Sequence, residues 1–193
     1  MTNQNLGSLH QGWLSGCRKV PSPNFYPRAE DQSVELVVIH NISLPPGEFG
    51  GDGVERLFTN SLDPNAHPYF EDIATLEVSA HFFIRRDGEV VQFVSLDDCA
   101  WHAGLSEWRS RNRCNDFSIG IELEGTDTDI YNEAQYEVLE QLLVICRNAL
   151  PAIDENAIVG HSDIAPDRKT DPGPSFDWQE LERRLAVTGL PGI

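Results

Sequence analysis

Between His161 and Pro174 the chain reads HSDIAPDRKTDPGP, a proline-rich stretch that carries a histidine, a lysine and an aspartate in close succession. Long segments with little regular structure are usually functional or disordered. Prolines favour the first reading, because they lower the entropy cost of fixing one conformation. Zinc binds imidazole nitrogen and carboxylate oxygen, and a catalytic zinc takes three protein ligands and leaves a position for water. His40, His161 and Asp171 can supply two imidazoles and one carboxylate for such a site. On spacing alone His81 and His102 compete with them, while His10 and His67 stand in apparently irregular segments. Glu122, among the apolar residues of FSIGIELEG, suits proton exchange, because desolvation raises a carboxyl pKa toward the working range of a general acid or base. Glu124 shares its face by the two-residue strand period, and the same period equally allows Glu122 to face solvent. Lys169, two residues before Asp171, offers an ammonium to a developing oxyanion. Arg109, Arg111 and Arg113 form a local basic patch in WRSRNRC; guanidinium groups match carboxylates through paired hydrogen bonds, and a solvated loop is the alternative.

These residues need elements to position them. Val34 to Asn41 is a β-branched run that predicts a buried strand ending at His40. Val54 to Asn60 predicts a short helix capped by Asp52 or Gly53, and NSLDPNAHPYF reads as loop. Val78 to Arg85 and Val90 to Val94 flank Asp87-Gly88, a hairpin signal. Phe117 to Leu123 alternates and predicts another strand. Asn132 is placed to cap a long helix to about Asn148, with Val138, Leu142, Ile145 and Ala149 as its apolar stripe. Ala157 to Gly160 predicts a strand running into His161, and Asp177 caps a last helix with Trp178, Leu181 and Leu185 on one face. This order predicts an α/β fold, a mixed sheet with helices packed against it. His40, Glu122 and His161 then fall near strand ends, where loops usually hold active sites.

The chain has 193 residues, 40% of them hydrophobic and 23% charged, which predicts one soluble domain over 1–193 with residues 1–30 as an extended lead-in. A net charge of -17 disfavours nucleic acid and anionic membranes as partners. The first residues lack a basic segment followed by an apolar run, and no apolar stretch is long enough to span a bilayer. Cys17, Cys99, Cys114 and Cys146 form no C-x-x-C pair, so free thiols in a reducing cytoplasm are expected.

The motifs VVIHNISLPPGEFGG, DPNAHPYF, SAHFFIRRDGEVVQFV, WHAG, RCNDFSIGIELEGTDT and GHSDIAPDRKTDPGP, in that order, resemble the AmpD-type 1,6-anhydro-N-acetylmuramyl-L-alanine amidases of the zinc amidase and peptidoglycan-recognition superfamily. The resemblance runs from about Gly12 nearly to the C-terminus. It implies a mixed sheet flanked by helices and hydrolysis of the bond between N-acetylmuramic acid and L-alanine in peptidoglycan recycling. It implies His40, His161 and Asp171 as Zn2+ ligands, which displaces His81 and His102, with Glu122 and Lys169 as catalytic residues. Asn41, Trp101 and Arg113 match positions of the substrate groove, and the implied partner is an anhydro-muropeptide rather than an obligate protein. Asp171 stands where many superfamily members carry cysteine, and Glu77 stands where close relatives carry an arginine.

Overall fold

The computed structural model describes residues 5–188. The lead-in is not featureless: it holds the strands β1 (Leu9–His10), β2 (Trp13–Leu14), β3 (Arg18–Lys19) and β4 (Phe25–Pro27). Then come β5 (Leu36–Ile42), the short helices α1 (Gly53–Phe58) and α2 (Pro68–Ile73), and the strands β6 (Phe82–Ile84), β7 (Val90–Gln92) and β8 (Asp98–Ala100). The pair β9 (Glu107–Trp108) and β10 (Arg111–Asn112) leads through a 3-10 turn into β11 (Ser118–Glu124). The chain ends with α3 (Glu133–Ala149), β12 (Ile158–Gly160), α4 (His161–Ile164) and α5 (Trp178–Val187).

The six-stranded sheet has the order β12-β5-β11-β6-β7-β3. β12, β5, β11 and β6 run parallel, and β7 pairs antiparallel with β6, which makes the sheet mixed as expected. The β6–β7 turn closes at Gly88, whose φ is +89°. A side chain there would meet the Ala134 carbonyl oxygen at 3.1 Å, so the turn needs glycine twice over.

Odd-numbered residues of the central strands, Val37, Ile39, Ile119, Ile121 and Leu123, pack against Leu139, Leu142, Leu143 and Cys146 of α3 and against Leu181 and Leu185 of α5. Full burial of each such side chain contributes about 1.5–3 kcal/mol. The buried stripe of α3 passes through Leu139, Leu143 and Cys146 rather than Ile145 and Ala149, and Ala149 is exposed. Asp177 caps α5 by accepting a hydrogen bond from the Glu180 amide at 3.0 Å.

The opposite face of the sheet is also covered. Leu36 and Val38 pack there with Ala103, Cys114, Phe117 and Ile164. A parallel sheet covered on both faces has no solvent side, and every residue of β11 is buried despite its alternating sequence. Its even-numbered residues on this covered face are Ser118, Gly120, Glu122 and Glu124.

Two segments expected to be loops contain helix. α2 begins inside NSLDPNAHPYF because Pro68 occupies its first turn and the His67 side chain accepts from the Tyr69 amide. α4 forms at the start of the proline-rich segment, where the Asp163 carboxylate accepts from the Gly160 amide at 2.7 Å. Asp52 precedes α1 without a side-chain cap bond, because its carboxylate pairs with Arg56.

Candidate metal and catalytic site

His40 and Glu122 lie on neighbouring parallel strands as direct register partners, His40 on β5 and Glu122 on β11. His161 follows β12 immediately and opens α4. The chain then loops back, and the Asp171 carbonyl accepts from the Ser162 amide at 3.0 Å. Three strands and one tethered loop thus converge on one point. The His40 and His161 Nδ1 atoms are 2.9 Å apart, and each is 3.0 Å from Asp171 Oδ2.

The donor atoms show what belongs at that point. The far nitrogen of His161, Nε2, lies 3.2 Å from the Ala103 carbonyl oxygen. A hydrogen on that Nε2 is donated to the carbonyl, which only accepts, and leaves Nδ1 bare toward Asp171; the Arg168 guanidinium stands 3.4 Å from the same nitrogen. Burial pushes the His40 imidazole down to about 4, which keeps that ring neutral. Two imidazole nitrogens and a carboxylate oxygen, all groups that bind metals through electron pairs, therefore face one another at hydrogen-bond distance. A cation relieves that crowding. Zinc held tetrahedrally by nitrogen and oxygen at ~2.0–2.2 Å places its ligands ~3.3 Å apart, a small expansion of the observed triangle. The residues present fit the group.

The competing histidines are otherwise engaged. His81 is fully buried, takes the Gly120 amide on Nδ1 at 3.1 Å and faces the Asp98 carbonyl through Nε2 at 3.1 Å. His102 approaches the far side of His40, with its Nδ1 2.9 Å from His40 Nε2. His67 caps α2, and His10 is exposed on β1.

The two glutamates of β11 separate by their partners. Glu124 accepts from the Gly50 amide at 2.6 Å and the Arg86 amide at 2.9 Å, one on each carboxylate oxygen. It pins two loops. Glu122 is 8% exposed, and its buried Oε2 has no hydrogen-bond partner among the described residues. Burial, then the nearby Asp171 carboxylate, pushes its pKa well above the ordinary carboxylate range, with Lys169 opposing. Replacing Glu124 with alanine is expected to cost stability, roughly 1–3 kcal/mol for the orphaned amides. Turnover per folded molecule should stay within about tenfold of wild type. Denaturant melts beside activity normalised to folded protein check this, and a larger loss of turnover would reassign the strand's proton carrier.

His40, Glu122, His161, Lys169 and Asp171 all line one cavity of about 580 Å³, a volume suited to a small-molecule ligand. Asn41 and Trp101 line it too. The Asn41 amide group donates to Asp127 at 2.8 Å and to the Pro172 carbonyl at 3.0 Å, so it also ties together two loops at the cavity rim. The Trp101 indole N–H is buried without a partner among the described residues.

Arg113 is not brought to this cavity. It takes a left-handed backbone, φ 63°, before the 3-10 turn, and its guanidinium turns back on Asp116. It lines a separate depression with Gly104 to Glu107 and Ile164. Arg109 pairs with Asp154 and Arg111 with Glu35, so acidic partners neutralise the whole basic patch. Glu77 is exposed between Leu76 and Val78, which do line the cavity.

Sequence reasoning missed an apolar wall, Tyr69, Ile73 and Leu76, contributed by α2 and the loop after it. It also missed Gly120. A glycine inside a strand signals close approach of another group, and a side chain there would meet the His102 ring at 2.4 Å.

The chain is similar to known proteins in both sequence and fold. Residues 30–174 match the profile of the N-acetylmuramoyl-L-alanine amidases, Amidase_2. The chain is 59% identical to the 1,6-anhydro-N-acetylmuramyl-L-alanine amidase AmpD of Escherichia coli K12 over 170 residues, 88% of this chain and 92% of that one. A crystal structure of a selenomethionine derivative of AmpD superposes with a TM-score of 0.90 at 56% identity, covering 93% of this chain and 99% of that one. The amidase AmiD of E. coli, solved with the substrate anhydro-N-acetylmuramic acid-L-Ala-D-gamma-Glu-L-Lys, superposes with a TM-score of 0.59 at 26% identity, covering 96% of this chain and 66% of that one.

Proposed function

Because the chain belongs to the N-acetylmuramoyl-L-alanine amidase family, we propose that it is a zinc-dependent amidase of peptidoglycan recycling, cleaving the amide between 1,6-anhydro-N-acetylmuramic acid and L-alanine. The observation that carries the metal reading is the triangle of His40, His161 and Asp171 donor atoms, all within 4.8 Å of one another. These three residues would hold the ion. Zinc, when bound, supplies Lewis acidity and lowers the pKa of neighbouring water to about 7.

The chain's own groups do the rest. Glu122, buried and with an unpartnered oxygen, takes a proton from the attacking water. It returns that proton to the amide nitrogen as the L-alanine amine leaves. Lys169, half-buried in the same cavity, sets positive charge against the oxyanion that forms at the lactyl carbonyl. Trp101 and Asn41 contact the substrate from the cavity rim. We place the enzyme in the cytoplasm, supported by four free, buried cysteines. Among the described residues no helix is long and apolar enough to cross a membrane.

Mass spectrometry of the products from 1,6-anhydro-N-acetylmuramyl tripeptide tests the reading. Free anhydromuramic sugar and intact tripeptide, lost on chelation and restored by zinc, are expected. Cleavage within the tripeptide, or unchanged substrate beside folded, zinc-loaded protein, would overturn it.

A further inference from the structure

His40 is not the end of its own hydrogen-bond chain. Its Nε2 lies 2.9 Å from His102 Nδ1. His102 Nε2 lies 3.0 Å from the Ser118 hydroxyl, which lies 2.6 Å from the Cys114 carbonyl oxygen. His40, His102 and Ser118 are all buried.

The last member fixes every hydrogen before it. A carbonyl oxygen only accepts, so the Ser118 hydroxyl donates to Cys114. The hydroxyl hydrogen is then spent, and Ser118 accepts from His102 Nε2–H. A neutral His102 has no second hydrogen, so its Nδ1 is bare and accepts from His40 Nε2–H. His40 in turn is left with a bare Nδ1, the atom facing His161 and Asp171.

We propose that His102 and Ser118 are positioning residues that set the tautomer and ring orientation of His40 for metal binding. This rests on the metal reading above. Partners of this kind fix the tautomer of a liganding imidazole and raise its basicity, but they are usually a carboxylate, a carbonyl or water. Here a second imidazole does the task, and it needs Ser118 and Cys114 behind it to specify its own tautomer.

Two independent features seat that second ring. Gly120 leaves open the space that the ring occupies, since a side chain there would meet His102 Cγ at 2.4 Å. The Asn115 side-chain oxygen accepts from the amides of both His102 and Ala103, at 3.2 and 2.8 Å. Residues 102 and 103 thereby serve both metal-facing imidazoles: the His102 ring meets His40, and the Ala103 carbonyl meets His161.

The test compares His102→Phe, which removes the acceptor, with His102→Asn, whose side-chain oxygen can accept near the position of Nδ1. Zinc affinity is read by competition with a chromophoric chelator. His102→Phe is expected to bind zinc about 10–100-fold more weakly, and His102→Asn within about threefold of wild type. In parallel, NMR of 15N-histidine-labelled, metal-free wild type reads the tautomers directly and needs no variant to fold. His40 and His102 should both be protonated at Nε2. His102 protonated at Nδ1, or His102→Phe binding zinc as tightly as wild type, would overturn the assignment while leaving the metal site standing. Equal weakening in both variants would overturn it too, because the acceptor would then not be the cause. Wild-type protein that binds no zinc removes the metal reading itself.

Discussion

Glu122→Gln is expected to lower kcat by ~10³-fold, within the span that a positioned proton carrier usually supplies, while zinc stays bound. The amide keeps the shape of the carboxyl group but cannot take a proton from water. The same substitution should stabilise the metal-free protein. Burial and the Asp171 carboxylate raise the Glu122 pKa in the fold, so the native state binds this proton more tightly than the unfolded chain. Above the unfolded value, about 4.3, the native protein holds more protons than the unfolded one. Its stability then falls as pH rises, by at most about 1.4 kcal/mol per pH unit for one proton. The fall continues up to the raised native pKa. Glutamine has no proton to lose. The advantage of Glu122→Gln should therefore be small at pH 5 and larger at pH 8, read by denaturant unfolding after chelation. A variant that keeps wild-type turnover with zinc bound would remove Glu122 from the chemistry. A stability difference that ignores pH would mean the carboxyl group is solvated rather than desolvated.

Asp171→Ala should be as damaging, by a different route. It removes the one anionic donor of the triangle, and two neutral imidazoles are left to hold a dication. Zinc affinity should fall by on the order of 10³-fold or more, beyond the 10–100-fold typical of losing an outer partner, and activity should fall with it. Asp171→Cys should retain the metal, since thiolate is a good zinc ligand. Thermal melts separate the cases, because a ligand at about 100 times its Kd adds roughly 2.7 kcal/mol to stability. Wild type and Asp171→Cys should show this zinc-dependent gain and Asp171→Ala should not. Equal gains in all three would place the ion elsewhere.

The elements that position these groups were legible where a local signal was strong. The β-branched run before His40, the capped helix from Asn132 and the glycine turn at Gly88 each carry a short-range physical cause. The pairing of His40 with Glu122 has no local trace. It follows from strand register across some 80 residues of intervening chain, which includes both α1 and α2. The choice between Glu122 and Glu124 was closed to pattern reasoning, since both share a face. The Gly50 and Arg86 amides made it, and they come from two other loops. The arginine patch was visible as charge, but its distant acidic partners Glu35 and Asp154 were not visible as neighbours. α2 was hidden by its own composition, because a proline reads as loop until its place in a first turn is known.

β11 carries two interleaved texts. Its odd residues, Ile119, Ile121 and Leu123, are written in the language of volume and can be exchanged for other apolar shapes at modest cost. Its even residues, Ser118, Gly120, Glu122 and Glu124, are written in hydrogen atoms, and no neighbour in size replaces any of them. A slip of one residue along the strand would swap the two texts. Tolerance to substitution should then alternate from position to position along a single strand.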